Sequence, residues 1–447
     1  MRTKNVIIQS SLLLLLYSIT LLIIFPPGQE AGATVIAKGG TAKSINLLFV
    51  ILFMPILIRY FVNVFISPLY PIAKNIKSRR FQKMRPDYRP LVSVIIPAWN
   101  EEVGILNTVK SVLSNYYRNL EVIVVNDGST DKTHEVVEKF IANYKGSRKI
   151  KYFSKKNGGK SSALNLGIRK SAGSIIITVD ADSAMDKKTV ANFVKRYRDP
   201  SVMCVAGNVK IGNHKTLIGL MQSIEYLGGF YFKKADSMFG SIYIVGGAAA
   251  SYRRQVFRKI GLFDKGTSTE DIEMSTRIQQ ARMKIAYADD AIVYTEGPSD
   301  IKSLIKQRLR WKYGRFETFY KYRELFFNIH GNKYLTFFVL PLAVFSEMLL
   351  FFEVIMLTAL YYYLFTSGNF ASLVTSIMIS AAVLAIQILS DTKNRKGYYL
   401  LLWAPVVWLL FYFIDFIEFN ALMRSIWALI RKKKITWQRW KRVGVYN

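Results

Sequence analysis

The sequence is poor in the residues that staple or chelate a protein. A single cysteine, Cys204, among 447 residues excludes a disulfide framework and a cysteine-rich zinc site. Only three histidines occur, His134, His214 and His330, and they lie far apart. A functional metal would therefore rest on carboxylates, which suits Mg2+ or Mn2+. Acid is also scarce, with 30 Asp+Glu against 62 Lys+Arg and a formal charge of +32. In a soluble protein that excess would suggest nucleic acid. Here 51% of the residues are hydrophobic and much of the basic charge sits beside long apolar runs, so an anionic lipid membrane is the expected partner and nucleic acid is not. No solenoid repeat and no low-complexity tract is present.

Residues 6–25 are 20 uncharged residues behind Arg2 and Lys4, the length about 30 Å of hydrocarbon requires. The run exceeds the core of about 7–15 residues usual for a cleaved signal, so a retained helix is expected despite the small residues Ala31-Gly32-Ala33. A second apolar stretch, 45–66, ends in a basic cluster from Lys74 to Arg89 that places the next segment on the cytoplasmic side. The organisation expected is two N-terminal transmembrane helices in 1–70, a basic linker 71–89, a cytoplasmic domain 90–299, interfacial amphipathic helices 300–333, a transmembrane bundle 334–430 and a basic tail 431–447. Three simple spans at 334–366, 370–390 and 398–423 would leave that tail outside, against the positive-inside bias. The parity calls for an extra short or re-entrant segment at Pro341 or Pro405.

Between residues 90 and 330, LVSVIIP, EVIVVND, KIKYFS, SIIITVD and MCVAGNV are uninterrupted apolar runs of the kind made by strands buried on both faces. Helical patterns near 101–116, 131–144, 160–171 and 187–197 alternate with them. The alternation predicts an α/β domain with a doubly wound, mainly parallel sheet, in which ligands bind beyond the carboxyl ends of the strands. Asp180-Ala181-Asp182 stands at such an end, where two carboxylates can turn toward one divalent cation and a diphosphate; a turn or helix cap is the plainer role. Asp127 and Pro97 to Glu102 end two other runs, and Asn157-Gly158-Gly159-Lys160 offers amides and an ammonium at a helix start. Ser129 or Thr130, and Ser268 or Thr269, are ordinary helix caps. Gln307, Arg310 and Trp311 share one helical face in a basic stretch before the membrane segments, where an interfacial Trp anchor is the competing role.

The set PAWNEE, VVNDGSTD, NGGKSSALNLG, VDADS, GGAAASYRR, STEDIE and KQRLRW, in this order, resembles membrane-embedded family 2 glycosyltransferases of the processive kind. Cellulose, hyaluronan, chitin and poly-N-acetylglucosamine synthases belong to that group. Thr269-Glu270-Asp271 and Gln307 to Trp311 are most similar to the bacterial poly-β-N-acetylglucosamine synthases. The resemblance implies a GT-A-like domain flanked by transmembrane helices, in a multi-pass cell-membrane protein. It implies a UDP-sugar donor, a growing polysaccharide acceptor and inversion of the anomeric centre, with N-acetylglucosamine the best match. On these residues, Asp271 would be the general base. Pro97, Glu102, Asp127, Lys160, Asp180, Gln307, Arg308 and Arg310 would bind the nucleotide sugar, Asp182 and Asp180 the metal, and Trp311 and Glu270 the acceptor. The alternative is a non-processive transferase acting on polyprenyl phosphate, which would not need a Gln-x-x-Arg-Trp platform. An export or regulatory subunit is left open.

Overall fold

The computed structural model describes residues 54–445 apart from 369, 392–396, 432, 434, 436–441 and 443. The helix expected at 6–25 and the first part of the 45–66 stretch lie outside the described residues. Among the described residues, eight strands follow in chain order: β1 (Val92–Ala98), β2 (Leu120–Asn126), β3 (Lys149–Ser154), β4 (Ile175–Thr178), β5 (Ser183–Met185), β6 (Val202–Ile211), β7 (Ala250–Arg253) and β8 (Lys284–Thr295). The helices are α1 (Tyr70–Met84), α2 (Ile105–Leu113), α3 (Thr133–Ala142), α4 (Lys160–Lys170), α5 (Thr189–Arg196) and α6 (Leu217–Phe239), then α7 (Arg254–Ile260), α8 (Glu270–Gln280), α9 (Ile301–Lys321), α10 (Leu340–Ser367), α11 (Ala371–Ser390) and α12 (Val407–Ile430).

The strands form one sheet in the order β3-β2-β1-β4-β7-β6-β8-β5. The five apolar runs supply β1 to β4 and β6, and alternate residues pack on opposite faces as the pleat requires. Val94, Ile96, Val122 and Ile177 face one core with α2, whereas Ile95, Ile123 and Ile176 face the other with α4. The sheet is mixed: β1 pairs in parallel with β2 and β4, β2 with β3 and β6 with β8, while β7 runs antiparallel to β4 and β6, and β5 antiparallel to β8. Val92 lies opposite both Leu120 and Ile175, so β1, β2 and β4 end at one edge. Pro97, Asp127, Asp180 and Asp182 gather there.

Among the described residues, Met54–Met84, Leu335–Glu353, Leu373–Ser390 and Tyr398–Ile430 are long and apolar enough to cross a membrane. Pro341 lies just after the π-helical turn Leu335–Val339, which runs straight on into α10, so the helix is widened there and not ended. At Pro405 the helix is broken: Tyr398–Val406 is a 3-10 helix containing it, and α12 starts immediately afterwards. The chain is back at the globular domain at the end of α11, where Lys234 donates to the Ser390 carbonyl at 2.7 Å and Lys210 pairs with Asp391. Helix α12 then runs against α10, with Tyr412 beside Tyr361 and Phe419 beside Phe351, and ends with Ser425 on the Leu309 carbonyl of α9. The break at Tyr398–Val406 falls at one of the two prolines where an extra short segment was expected.

Candidate active site

The edge formed by β1 and β4 faces α6, α8 and α9 across a cavity of about 460 Å³. Pro97, Lys160, Asp180, Asp182, Glu270, Asp271, Gln307, Arg310 and Trp311 all line it, although the sequence separates them by more than 200 positions. Lys160, the first residue of α4, reaches across to Asp180 at 2.6 Å and to Glu270 at 2.8 Å. Burial alone would lower its pKa, but Asp180, Glu270 and Asp271 together raise it, so the ammonium is firmly charged. Burial raises the pKa of Asp180 against the pull of Lys160. Burial would also raise Glu270, but Lys160 and Arg310 hold it below the ordinary carboxylate value.

Asp271 is the second residue of α8, and its carboxylate is fixed by two amides. Gly247 N–H donates to Oδ2 at 2.8 Å and Ile272 N–H donates to Oδ1 at 2.9 Å. A Cβ on residue 247 would lie 3.0 Å from Lys160 Nζ and 3.5 Å from Asp271 Oδ2, so glycine lets the backbone approach the acids. Burial, reinforced by Glu270, raises the Asp271 pKa, while Lys160 and Arg310 lower it less. A buried carboxylate with raised proton affinity is suited to take a proton. Thr269 stands at the N-cap position but its hydroxyl caps nothing, and the backbone of Ser268 donates to Glu317 instead. Likewise α3 begins at Thr133, whose N–H is met by Asp131 rather than by Ser129 or Thr130.

Asp182 accepts from Ser183 Oγ at 3.1 Å and lies 2.7 Å from Arg442 Nη1. Arg442 also pairs with Glu101, and Gly444 N–H donates to Glu296 at 3.1 Å, which carries the tail into the cavity wall. Nothing in the tail's sequence singled out Arg442. Asp180 and Asp182 offer hard oxygen donors of the kind magnesium and manganese prefer. Among the described residues no group of three or more potential ligands stands together, so an ion here would need oxygens from its substrate as well.

Three expected donor-site residues sit elsewhere. Glu102 is exposed and accepts from Lys132 N–H at 2.9 Å, while its neighbour Glu101 is buried in the cavity wall. The cause is Asn100, whose left-handed φ of 56° turns the chain and whose side-chain oxygen is held by Thr130 N–H at 2.7 Å. Asp127 does not line the cavity: Lys155 pairs with it and Gly158 N–H donates to both its oxygens, at 3.1 and 3.2 Å. Arg308 points away from the donor side and is bound to Glu225 and Glu418. Gln307 is 6% exposed and its Oε1 has no partner, an acceptor left open beside the cavity.

Residues 93–261 match Glycosyl transferase family 2. The chain is 30% identical over 229 residues to a poly-β-1,6-N-acetyl-D-glucosamine synthase of Staphylococcus epidermidis, covering 51% of this chain and 55% of the relative. It is 28% identical over 228 residues to the synthase of that name from Staphylococcus aureus strain COL, with the same shares covered. The chain thus spans about half the length of the curated relatives it matches. The fold is that of the mannosyltransferase PcManGT from Pyrobaculum calidifontis, solved with GDP-Man and Mn2+, at a TM-score of 0.55 and 19% identity over 84% of this chain and 100% of that one. The GT-A-like domain thus carries the family 2 glycosyltransferase match over residues 93–261, in a chain similar to bacterial poly-β-1,6-N-acetyl-D-glucosamine synthases.

Proposed function

We propose that the protein polymerises a sugar from a UDP-sugar donor into a β-linked polysaccharide, with N-acetylglucosamine the sugar, and passes the chain across the membrane beside which its domain sits. The observation that carries this reading is the gathering of Asp271, Gln307, Arg310 and Trp311 around one cavity with Asp180 and Asp182. A hydroxyl of the acceptor sugar lies against Asp271, which takes its proton as the oxygen attacks the anomeric carbon. One base and no second carboxylate acting as nucleophile give inversion at that carbon. Lys160, Gln307 and Arg310 meet the diphosphate, and the indole of Trp311 stacks on the terminal acceptor sugar.

Asp180 and Asp182 would hold a divalent cation. When bound, such an ion offsets negative charge on the departing UDP. The Mn2+ of the mannosyltransferase and the names of the synthase relatives support the metal and the sugar respectively. The domain and Arg442 lie on the cytoplasmic side in this reading, where UDP-sugars are made. The test is incubation of the detergent-purified protein with individual UDP-sugars and digestion of the product with specific glycosidases. Polymer from UDP-N-acetylglucosamine cut by a β-1,6-specific enzyme supports the proposal. Transfer of a single sugar to polyprenyl phosphate, with no polymer, overturns it.

A further inference from the structure

Arg308 belongs to the same helix as Gln307, Arg310 and Trp311 yet takes no part in the donor wall. Its side chain is 4% exposed, and its two Nη atoms each lie 2.6 Å from one oxygen of Glu225 on α6. Glu418, from the membrane-spanning α12, lies 3.3 Å from Nη1. The guanidinium carbon stands 4.6 Å from the ring centroid of Trp311. One turn further along α9, Lys312 binds the other oxygen of Glu418 at 2.7 Å and also pairs with Glu347 of α10. A planar fork held in two directions by carboxylates cannot drift, and a ring whose face it covers is held with it.

We propose that Arg308 is a positioning residue for acceptor binding: it backs the indole of Trp311 and ties that ring to α6 and to the membrane helix α12. This rests on the reading of Trp311 as the acceptor platform. A platform that must keep its grip while UDP leaves and a new donor enters needs a fixed ring, because a tilted ring loses the sugar's C–H face. The paired charges supply that fixity from the α6 wall of the cavity, which Glu225 lines, and through Glu418 they link the platform directly to α12. Arg308 here serves elongation and leaves nucleotide binding alone.

The test compares Arg308→Lys, Trp311→Ala and the parent protein, purified as the full chain and supplied with UDP-N-acetylglucosamine. Product length on gels, UDP released per sugar incorporated, and UDP affinity by calorimetry are read for each. Lysine keeps the charge but has neither the fork nor the plane, so Arg308→Lys shortens the product by about fivefold or more and raises UDP release per sugar incorporated, with UDP affinity within about twofold of the parent. Normal product length in Arg308→Lys, with short product in Trp311→Ala, overturns the role of Arg308 alone. Loss of UDP affinity in Arg308→Lys overturns it too and makes Arg308 a donor ligand. Normal length in Trp311→Ala removes the platform itself, and with it the reading on which this rests. If Arg308→Lys does not fold, the combined Arg308→Met, Glu418→Gln variant, which leaves the cavity-lining Glu225 in place, carries the same comparison.

Discussion

The guanidinium of Arg442 lies 2.7 Å from the carboxylate of Asp182, so a residue of the basic tail neutralises an acid at the end of a central strand. The same side chain binds Glu101, a close neighbour of Asp182. Both acids belong to the edge where a metal and a diphosphate are proposed to sit, and Arg442 competes there with any cation that approaches Asp182.

Arg442→Ala therefore raises the affinity for Mn2+ in the presence of UDP, by on the order of tenfold if the pair is lost outright. Titration of bound Mn2+ by electron paramagnetic resonance measures it. Unchanged affinity would mean that Arg442 and the metal use different oxygens. Chelation should stop transfer in both proteins and added Mg2+ should restore it; full activity in excess chelator would remove the metal from the proposal.

Asp271→Asn keeps an oxygen for the amide of Gly247 but loses the base. Turnover should fall by about 10²–10⁴, with UDP affinity changed only a few fold. Loss of UDP binding, or failure to fold, would make Asp271 a support for the start of α8 and not the base.

Burial raises the Glu101 pKa to about 8 from its ordinary 4.5, while Arg442 pulls it down. The unfolded chain gives up this proton first as pH rises, so the folded state loses stability between those two values. The unfolding midpoint should drop from about pH 5 to about pH 8, and Glu101→Gln should remove part of that drop. An identical slope in the variant would locate the pH dependence in another group.

Sidedness can be checked with thiols, since the native Cys204 is buried and silent. A cysteine placed at the exposed Lys187, and another at the exposed Lys139, should resist a membrane-impermeant reagent in intact cells and react once the cells are permeabilised. Labelling in intact cells would put the domain outside.

The sequence by itself determined the elements that depend on local pattern. The continuous apolar runs of β1, β2, β4 and β6 became strands because both faces of a central sheet are buried, whereas KIKYFS, expected to be buried too, forms the half-exposed edge strand β3. Asp180, Asp182 and Asp271 fell near strand and helix ends because the polar chain resumes there. Pro405 interrupted a helix because proline lacks the N–H that the interior of a helix needs. Tertiary structure decided what depends on the orientation of neighbours. Glu101 and Glu102 are chemically the same, and only the left-handed turn at Asn100, itself held by Thr130, sends one into the cavity and the other to solvent. Arg308 and Arg310 lie two positions apart on a helix, a rotation of about 200°. One meets the cavity and the other meets carboxylates from α6 and α12. The antiparallel entry of β7 between β4 and β6, and the arrival of Arg442 at Asp182, follow from where the chain returns after long excursions. No local pattern encodes such contacts, because their energy is gained only after distant segments have packed.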